Sequence, residues 1–436
     1  MTQTTLTNAR VHASHLAHPI GVADDGGFHR ANITLRDGEI ADLTDVGVPI
    51  SGHATDLPST DLAGRIITPT FVDCHTHLDK GHIWGRHPNP DGSFAGALDA
   101  VATDTAANWS ADDLTTRMDF ALRCAYAHGT SALRTHIDSQ VPQAATSWPV
   151  FEHMRDKWAG RIALQGVCLV GIDALRDAEE FNALAKRVQA AGGVLGAVTY
   201  MVPDIEQLID RIFFRAKEYS LDLDFHTDET GDPDAISLHL IAQAALRHDF
   251  KGRINVGHCC SIARQPDDAA HRTLDLVAKA GMSITTLPMC NLYLQDRRQN
   301  GTTPRWRGVT LVHEMRARGI NVAIASDNTR DPFYAYGDLD MIEVYRMATR
   351  ILHLDHPVSD WPGAIVNAPA QIMGITAPKI TTGQPADMIA FRARSWTELL
   401  SRPQSDRMVL RGGEQIDTTL PDYSELDPLM EPSHEH

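Results

Sequence analysis

Two histidines separated by a single residue form the first group in this sequence whose spacing could do chemistry. His75 and His77 follow a short apolar run that is typical of a β-strand. In an extended chain, residues i and i+2 project from the same face, so both imidazoles can reach one metal ion. An H-x-H pair alone is weak evidence, because two ordinary surface or core histidines explain it equally well. Other polar residues along the chain decide between these interpretations.

Four further polar residues stand at or just after the ends of later strand-like runs. His226 ends the fifth run, and Glu229 follows it three residues later. His258 closes the sixth run, and Asp327 closes the eighth. In a barrel of parallel strands, the active site is built from the carboxyl-terminal ends of several strands. Structural polar residues have no reason to choose that rim each time, so the placement indicates one shared site.

The elements that would position these residues are eight strand-like runs separated by helical patterns. One helix is predicted from Asp112 to Ala127, with Ser110 and Asp113 as a capping box and Gly129 as its terminator. Strands that alternate with helices indicate an α/β protein with parallel strands, and eight of them predict a closed (β/α)₈ TIM barrel. The predicted strands span residues 66–72, 131–137, 161–170, 194–200, 221–226, 253–258, 283–287 and 321–326.

Short apolar runs at both chain ends predict a second, smaller unit. Residues 33–43 contain two runs hinged on Asp37-Gly38, which is a strong hairpin signal, and another hairpin is predicted around Gly412-Gly413. We expect the two ends to pair into a small β-sandwich. The predicted domains are residues 1–65 plus 376–420 for the β-sandwich, 66–375 for the barrel and 421–436 for a loose acidic tail.

Composition narrows the classes of function. The 436 residues are 43% hydrophobic, which is enough for a large core, and carry a formal net charge of −17. This acidic balance argues against nucleic acid and anionic membranes as partners and favours a small-molecule enzyme. No leader-like segment or apolar run of about eighteen residues occurs, so we expect a cytoplasmic protein, with a homo-oligomer left open. The six cysteines form no C-x-x-C pair and are expected to be reduced core residues.

The sequence resembles the amidohydrolase superfamily through His75-Thr76-His77, His226, His258 and Ser326-Asp327-Asn328, which occur in the family's order. Within that superfamily it resembles the cytosine deaminase branch, and it shares the segment from His77 to Lys80 with amino-triazine hydrolases such as N-isopropylammelide amidohydrolase. The closer likeness lies in His77-Leu78-Asp79, Arg134-Thr135-His136-Ile137-Asp138, His226-Thr227-Asp228-Glu229, Asn291-Leu292-Tyr293-Leu294-Gln295, Arg307-Gly308-Val309-Thr310 and Asp331-Pro332-Phe333-Tyr334.

This resemblance implies a metal-dependent hydrolase that removes an exocyclic amino group from a small nitrogen heterocycle, cytosine or a related aminopyrimidine. The implied metal ligands are His75, His77, His226 and Asp327. The fourth predicted strand, residues 194–200, has no lysine that could be carboxylated to bridge two metals, so we expect one divalent ion. A mixed imidazole and carboxylate set suits zinc or iron(II) rather than magnesium or calcium.

The implied reaction assigns roles to three of the polar residues. Attack of water on an aromatic ring carbon puts negative charge on a ring nitrogen and turns the amino group into a leaving group, so both need protons. A metal lowers the pKa of its water toward neutrality. Asp327 is expected to accept the proton of that water, and His258 is expected to orient the attacking oxygen. Glu229 is expected to protonate the ring nitrogen and to assist the departure of ammonia.

Contacts to the substrate are expected from the loops around the barrel mouth. Asn291 and Gln295 could pair with the edges of a heterocycle, and Phe333 could close over the ring, although loops are polar in most proteins. His136 is interpreted equally well as a residue at the barrel mouth or as a structural histidine that pairs with Asp138.

One stretch departs from the cytosine deaminase pattern. Val170 and Gly171 stand where that family carries a glutamine that reads the pyrimidine amide, and Asn328 stands where its members carry a second aspartate. Losing a hydrogen-bonding reader weakens discrimination strongly. We therefore expect cytosine to be a poor substrate and a ring with an apolar or bulkier substituent to be preferred.

Two alternatives stay open at this point. An amino-triazine hydrolase that releases an alkylamine would use the same metal, base and acid with a different pocket. A catalytically inactive barrel that serves as a binding protein would be expected to lose some of the chemistry-bearing residues. All six are present, namely His75, His77, His226, Glu229, His258 and Asp327.

Overall fold

The computed structural model describes residues 3–48, 58–298 and 301–430. The strands are β1 (Gln3–His12), β2 (Phe28–Arg36), β3 (Glu39–Asp45), β4 (Ser59–Asp61), β5 (Ile66–Pro69), β6 (Phe71–Thr76), β7 (Thr130–Asp138), β8 (Ala163–Leu169), β9 (Leu195–Thr199), β10 (Leu223–Thr227), β11 (Ile254–His258), β12 (Ser283–Thr286), β13 (Val322–Ile324), β14 (Met388–Ala390), β15 (Met408–Arg411) and β16 (Glu414–Gln415). The helices are α1 (Phe94–Asn108), α2 (Ala111–Ala127), α3 (Ala144–Trp158), α4 (Ala178–Ala190), α5 (Ile205–Tyr219), α6 (Ser237–Arg247), α7 (Asp267–Lys279), α8 (Pro288–Leu294), α9 (Val312–Ala317), α10 (Met341–Leu352), α11 (Asn367–Met373), α12 (Trp396–Ser401) and α13 (Asp427–Met430).

Eight parallel strands form the centre of the molecule. β6, β7 and β8 make one sheet, and β9 to β13 make a second sheet in sequential order. Isolated parallel bridges connect the two sheets at both junctions, for example Gly171 with Val198 on one side and Thr76 with Asp327 on the other. The predicted α/β architecture with parallel strands is therefore confirmed. The bridges at both junctions are consistent with a closed barrel.

Burial explains why these strands read as continuous apolar runs. Every residue of β10 and β11 is buried, as expected for parallel strands that are covered on both faces. The helix predicted to start near Asp112 is present as α2. The Asp113 N–H donates to the Ser110 hydroxyl at its start, and Gly129 follows its end with a φ of +96°. The polar residues at the carboxyl ends of the strands are thus held by a well-packed scaffold.

Both chain ends contribute to one mixed sheet, in the order β16-β15-β14-β5-β1-β2-β3, with β4 beside β1. Asp37 and Gly38 join β2 to β3 with φ values of +52° and +86°, which is the predicted hairpin. Gly412 and Gly413 likewise turn β15 into β16. The sheet buries a separate apolar cluster, which includes Ile33, Ile67 and Met388.

The first predicted barrel strand is in fact two strands. Ile66–Pro69 is β5, which pairs with β14 of the mixed sheet, whereas Phe71–Thr76 is β6 and begins the parallel strands. Proline lacks the N–H that would continue a ladder, so a change of sheet at Pro69 is physically reasonable. The unit built from the chain ends therefore reaches to residue 69 rather than 65.

The carboxyl-terminal segment, predicted to be loose, packs on α2 as far as residue 430. Leu426 is buried against Phe120 and Cys124, and Glu425 pairs with Arg123 at 2.6 Å. Leu429 and Met430 pack against the same cluster, and Tyr423 stacks on Phe120, so several side chains anchor this segment. Residues 431–436, with His434 and His436, lie outside the described residues.

All six cysteines are buried free thiols, which confirms the expectation of reduced core residues. Across the described ranges, no helix combines the length and the apolar composition that crossing a membrane requires.

Candidate active site

Three imidazoles and one carboxylate converge at the carboxyl ends of the parallel strands. His75 lies in β6, His77 directly follows it, His226 lies in β10 and Asp327 follows β13. The Nε2 atom of His226 lies 3.1 Å from the Nε2 atoms of both His75 and His77. Asp327 Oδ1 lies 3.5 Å from His75 Nε2 and 3.2 Å from His77 Nε2. All four side chains are buried.

The separations of these four atoms suit a bound metal ion. Ligands at about 2.0 to 2.1 Å from a tetrahedral zinc ion lie about 3.3 Å from one another. Within the described residues, both oxygens of Asp327 and the Nδ1 atoms of His75, His77 and His226 have no hydrogen-bond partner. Buried polar atoms are normally satisfied, so the unpaired oxygens of Asp327, at the point where the three Nε2 atoms converge, fit a bound cation. The donor set of imidazole and carboxylate fits a divalent ion.

Two residues of the site adopt a left-handed backbone at a strand end. Asp327 has a φ of +68°, and His258, at the end of β11, has a φ of +67°. Residues other than glycine rarely take this conformation, which is typically found where a structure holds a side chain in place for function. The N–H of Asp327 donates to the carbonyl of His75 at 2.9 Å, so the turn is fixed against β6.

A second group of polar residues adjoins the four. Glu229 follows β10, and its Oε1 lies 3.4 Å from Nδ1 of His258. Asn291, in α8, places its Nδ2 2.9 Å from the same nitrogen and 3.4 Å from Glu229 Oε1. A ring nitrogen of His258 also lies within 4.8 Å of ligand atoms of His75, His226 and Asp327. The structure therefore brings together every catalytic and metal-binding residue that the sequence predicted.

The local environment shifts the pKa values of the titratable residues of this site in different directions. Burial raises the pKa of Glu229 well above its usual range, and the Asp327 carboxylate adds to the rise. Burial opposes ionisation of Asp327 as well, but the adjacent rings of His75 and His77 hold its pKa well below the usual range. Burial lowers the pKa of His258 to about 3. The site therefore combines a glutamate that resists ionisation, an aspartate that ionises readily and a histidine that resists protonation, which is a combination that suits acid and base work.

Known proteins share this architecture. The sequence profile described as the Amidohydrolase family matches residues 152–417, more than half of the chain. The chain belongs to the amidohydrolase family. It is 52% identical over 426 residues to pterin deaminase from Rhizobium rhizogenes strain K84, a match that covers 98% of this chain and 96% of the relative.

More distant relatives of this amidohydrolase act on other rings. N-isopropylammelide isopropyl amidohydrolase from Pseudomonas sp. strain ADP is 24% identical over 349 residues, which cover 77% of this chain and 82% of that protein. The crystal structure of 5-methylcytosine deaminase from Klebsiella pneumoniae with 5-fluorocytosine superposes with a TM-score of 0.80 at 20% identity, over 96% of this chain and 98% of that one. At that identity the likeness shows a shared fold.

Asp228 is a site residue that the sequence reasoning did not single out. Its carboxylate accepts the N–H groups of Ser237 and Leu238 at 3.0 and 2.9 Å, and its carbonyl accepts from Cys260 at 3.0 Å. The amidohydrolase thereby ties the loop after β10 to the start of α6 and to the loop after β11. An aspartate some ten residues before a helix gives no recognisable capping signal, although this contact helps to hold the neighbouring Glu229.

Lys80 borders the site and is nearly inaccessible to solvent. Its Nζ donates to Asp138 Oδ1 at 2.9 Å and lies 5.5 Å from the centre of the Phe333 ring. Burial opposes the charge, but the carboxylates of Asp138 and Asp79 raise the pKa of Lys80. The lysine therefore keeps its charge at the barrel mouth. Phe333 itself packs edge-to-face on Phe94 of α1.

His136 does not pair with Asp138, contrary to the structural alternative considered for it. Its ring is fully buried in the barrel interior, with Nε2 3.5 Å from Asp224 Oδ1 and its centre 4.1 Å from the ring of His75. Asp138 is engaged by Lys80 instead. His136 therefore packs behind the first metal ligand.

The amide side chains predicted to touch substrate are already engaged within the protein. Gln295 donates to the carbonyl of Glu229 at 3.0 Å, and Asn328 donates to Asp331 Oδ2 at 2.6 Å. Asn291 is held between Glu229 and His258. These contacts brace the loops of the site, which the residue types alone did not indicate.

The position of Gly171, after β8, is not open space. A Cβ built there would lie 2.7 Å from both Asp173 Oδ1 and the hydroxyl oxygen of Tyr200. Tyr200 follows β9 and donates a hydrogen bond to Asp173. This pair, rather than Val170, which is buried, forms the polar surface beside Gly171.

Proposed function

We propose that this amidohydrolase is a metal-dependent hydrolytic deaminase of a nitrogen heterocycle, and that a pterin is a better substrate than cytosine. The observation that carries the proposal is the convergence of His75, His226, His258 and Asp327 in one buried cluster that fits a metal, with Glu229 Oε1 3.4 Å from His258. The identity of 52% to a pterin deaminase over nearly the whole chain supports the choice of ring.

The proposed scaffold is a closed (β/α)₈ barrel with the mixed sheet as a small β-sandwich on its amino-terminal side. We propose one zinc or iron(II) ion per chain, because β9 contains no lysine that could bridge a pair of metals. A cytoplasmic location and a homo-oligomeric assembly are further expectations. Elemental analysis of the purified protein tests the metal count, and a stoichiometry near two would overturn it.

The residues of the site divide the steps of the reaction among them. His75, His77, His226 and Asp327 would hold the ion, which when bound acts as a Lewis acid that makes a nucleophile available from water near neutral pH. The remaining oxygen of Asp327 accepts a proton from the attacking water, and His258 orients that water. Glu229 then transfers a proton to the ring.

Glu229 transfers its proton to the ring nitrogen next to the attacked carbon. The new C–O bond forms as the C=N bond becomes single, so this nitrogen takes up the electron pair. The proton that Asp327 received moves to the amino group, the C–N bond breaks and ammonia leaves. The hydroxyl proton of the intermediate passes to Glu229 as the carbonyl forms, which restores the glutamic acid. The nitrogen–carbon bond of the amino group is thus replaced by a carbonyl, and one water is consumed for each ammonia released.

A panel of rings tests the proposal. Ammonia release is measured with pterin, cytosine and 5-methylcytosine, and isopropylamine release is measured with N-isopropylammelide. We expect kcat/KM for pterin to exceed that for cytosine by about 10²-fold or more, because a lost polar reader costs discrimination of this order. Turnover of cytosine as fast as pterin would refute the ring preference. Turnover of none of these rings by the metal-loaded protein would refute the deaminase proposal, and release of isopropylamine alone would favour the triazine alternative.

A further inference from the structure

Asn291 is the one fully buried amide that touches both the acid and the histidine of the proposed reaction among the described residues. It lies in α8, and none of its surface reaches solvent. Its Nδ2 lies 2.9 Å from Nδ1 of His258 and 3.4 Å from Oε1 of Glu229, while its Oδ1 has no partner among the described residues. An amide nitrogen carries two hydrogens and can serve both acceptors at once.

This contact determines where the neutral imidazole of His258 carries its hydrogen. If Nδ1 accepts from Asn291, the hydrogen of the ring is on Nε2. His258 Nε2 has no hydrogen-bond partner among the described residues, and the ring lies beside His75, His226 and Asp327. His258 then presents an N–H donor, rather than a base, toward the point where these residues converge.

The side-chain amide of Asn291 also makes the two carboxyl oxygens of Glu229 inequivalent. Oε1 accepts the N–H of Asn291, so a proton carried by this carboxyl group belongs on Oε2. A carboxyl group with one oxygen held and the other free to transfer its proton is arranged for repeated proton movement without reorientation.

We propose that Asn291 is a positioning residue of the deaminase, which fixes His258 as an Nε2–H donor and assigns proton transfer to Oε2 of Glu229. The inference rests on the proposed function. His258 orients the attacking oxygen by donating a hydrogen bond to it, and Asp327 remains the group that accepts the proton.

The placement of Asn291 is built into the fold around it. One turn later in the chain, Gln295 donates to the carbonyl of Glu229 at 3.0 Å, so α8 and the loop after β10 are joined twice. Gly308 has a φ of +74°, and a Cβ there would lie 2.5 Å from the carbonyl oxygen of Asn291. The chain around Gly308 therefore packs against α8 without a side chain between them.

Two substitutions distinguish a positioning role of Asn291 from a role in packing alone. Asn291→Leu has a similar branched shape but cannot donate, and Asn291→Ala leaves a cavity. We expect both to lower kcat by about 10²-fold, with KM changed by less than about threefold and the metal content unchanged. If Asn291 only filled space, the leucine variant would stay near the parental rate and the alanine variant would be the worse of the two. Asn182→Leu, which changes a half-buried amide in α4 far from the site, should keep the parental kcat/KM.

The tautomer itself is measured by ¹⁵N NMR of the zinc-loaded enzyme labelled at histidine, with His258 assigned by loss of its signals in His258→Gln. We expect the parent to show Nε2–H and an unprotonated Nδ1, and Asn291→Leu to lose this preference. A parent with Nδ1–H, or an unchanged tautomer in Asn291→Leu, would overturn the inference. The measurement needs no substrate, so an error in the proposed ring or reaction would show in the activity panel and leave this result intact.

Discussion

Two groups of buried histidines in this chain differ in what surrounds them. At the carboxyl ends of the parallel strands, the Nε2 atoms of His75, His77 and His226 face one another around Asp327. In the unit built from the chain ends, His12 and His15 are equally buried, but His12 contacts Ser14, Phe28 and Trp396, and His15 contacts the ring of His12. Burial lowers the pKa of His77 and His226 in the first group well below the usual range. In the second group it lowers the pKa of His12 to about 4 and that of His15 to about 3.

The contrast shows that burial of a histidine does not by itself indicate a site. In each group, burial disfavours the charged form of the histidines whose pKa is lowered, which is the general effect of desolvation on an imidazole. The first group also aims three nitrogens and a carboxylate at one point, whereas the ring of His12 makes edge-on contacts with Phe28, Trp396 and His15. Of the residues that the structure describes, the groups able to hold a metal all belong to the first. In this chain, the convergence of histidine nitrogens and a carboxylate on one point distinguishes the candidate metal site from histidines that are packed in a core.

The largest effect that this comparison predicts is on Asp327. Asp327→Asn should lose most of the metal and lower kcat/KM by about 10⁴-fold or more, because a ligand and a base disappear together and a base alone contributes about 10² to 10⁴. Metal per chain and ammonia release are measured on the same preparation. His15→Leu is the control from the second group and should keep its metal and its rate. Metal loss in His15→Leu would break the comparison.

The next effect concerns the acid beside the first group. Glu229→Gln should keep the metal and the fold and lower kcat by about 10² to 10⁴-fold, since the amide has the same shape but cannot transfer a proton. Steady-state kinetics with elemental analysis decides the outcome. Near-parental turnover would show that Glu229 is a bystander despite its raised pKa.

The second group, His12 and His15, should affect the stability of the protein rather than its catalytic rate. Burial lowers the pKa of His15 to about 3, so as the pH falls the unfolded chain takes up the proton first. The contribution of neutral His15 to stability is complete above about pH 6.5 and is lost progressively between about pH 6.5 and pH 3. From this residue alone we expect a loss of about 2 kcal/mol between pH 7 and pH 5.

Urea unfolding of the parent and of His15→Leu at both pH values measures this loss. The leucine variant should lose about 2 kcal/mol less than the parent over that interval, because its side chain does not titrate. Equal losses in the two proteins would place His15 in a more solvated environment than its burial indicates.

The smallest effect is expected at Gly171, which is more exposed than the histidines of either group. In Gly171→Gln the new side chain must displace Asp173 and Tyr200, so KM for pterin should rise by about threefold to tenfold with a smaller change in kcat. Tyr200→Phe breaks the same hydrogen bond without adding a side chain and serves as the matched comparison. A gain in cytosine turnover in Gly171→Gln alone would show that a glutamine can read that ring from this position.

Much of this architecture could be predicted from the sequence because its signals are local. The alternation of apolar strands and helices indicated the parallel strands, and the Asp-Gly and Gly-Gly turns indicated both hairpins. The H-x-H pair, His226 and Asp327 could be grouped because strand ends meet at one edge. The boundary at Pro69 was missed, since an unbroken apolar run does not say which sheet each half joins.

The contacts of the site were harder to predict because they connect distant loops. Asn291 and Gln295 have the polar character of any loop, and their sequence does not say that they hold Glu229 and His258. The pairing of Asp173 with Tyr200 joins the ends of two neighbouring strands, and no local sequence pattern predicts this contact. His136 had a plausible partner two residues away, yet the folded chain supplies Asp224 instead.

The strand order of the mixed sheet also determines when its strands can pair during protein synthesis. β5 needs β14 as a neighbour, but roughly 300 residues separate them. At a synthesis rate of about 5 to 20 residues per second, the first strands leave the ribosome roughly 15 to 60 s before their partners exist. Through that interval the edge of β5 stays unpaired while the strands that carry the histidines emerge. Deleting the last strands should therefore harm yield and solubility more than it harms the chemistry of any molecule that completes its fold.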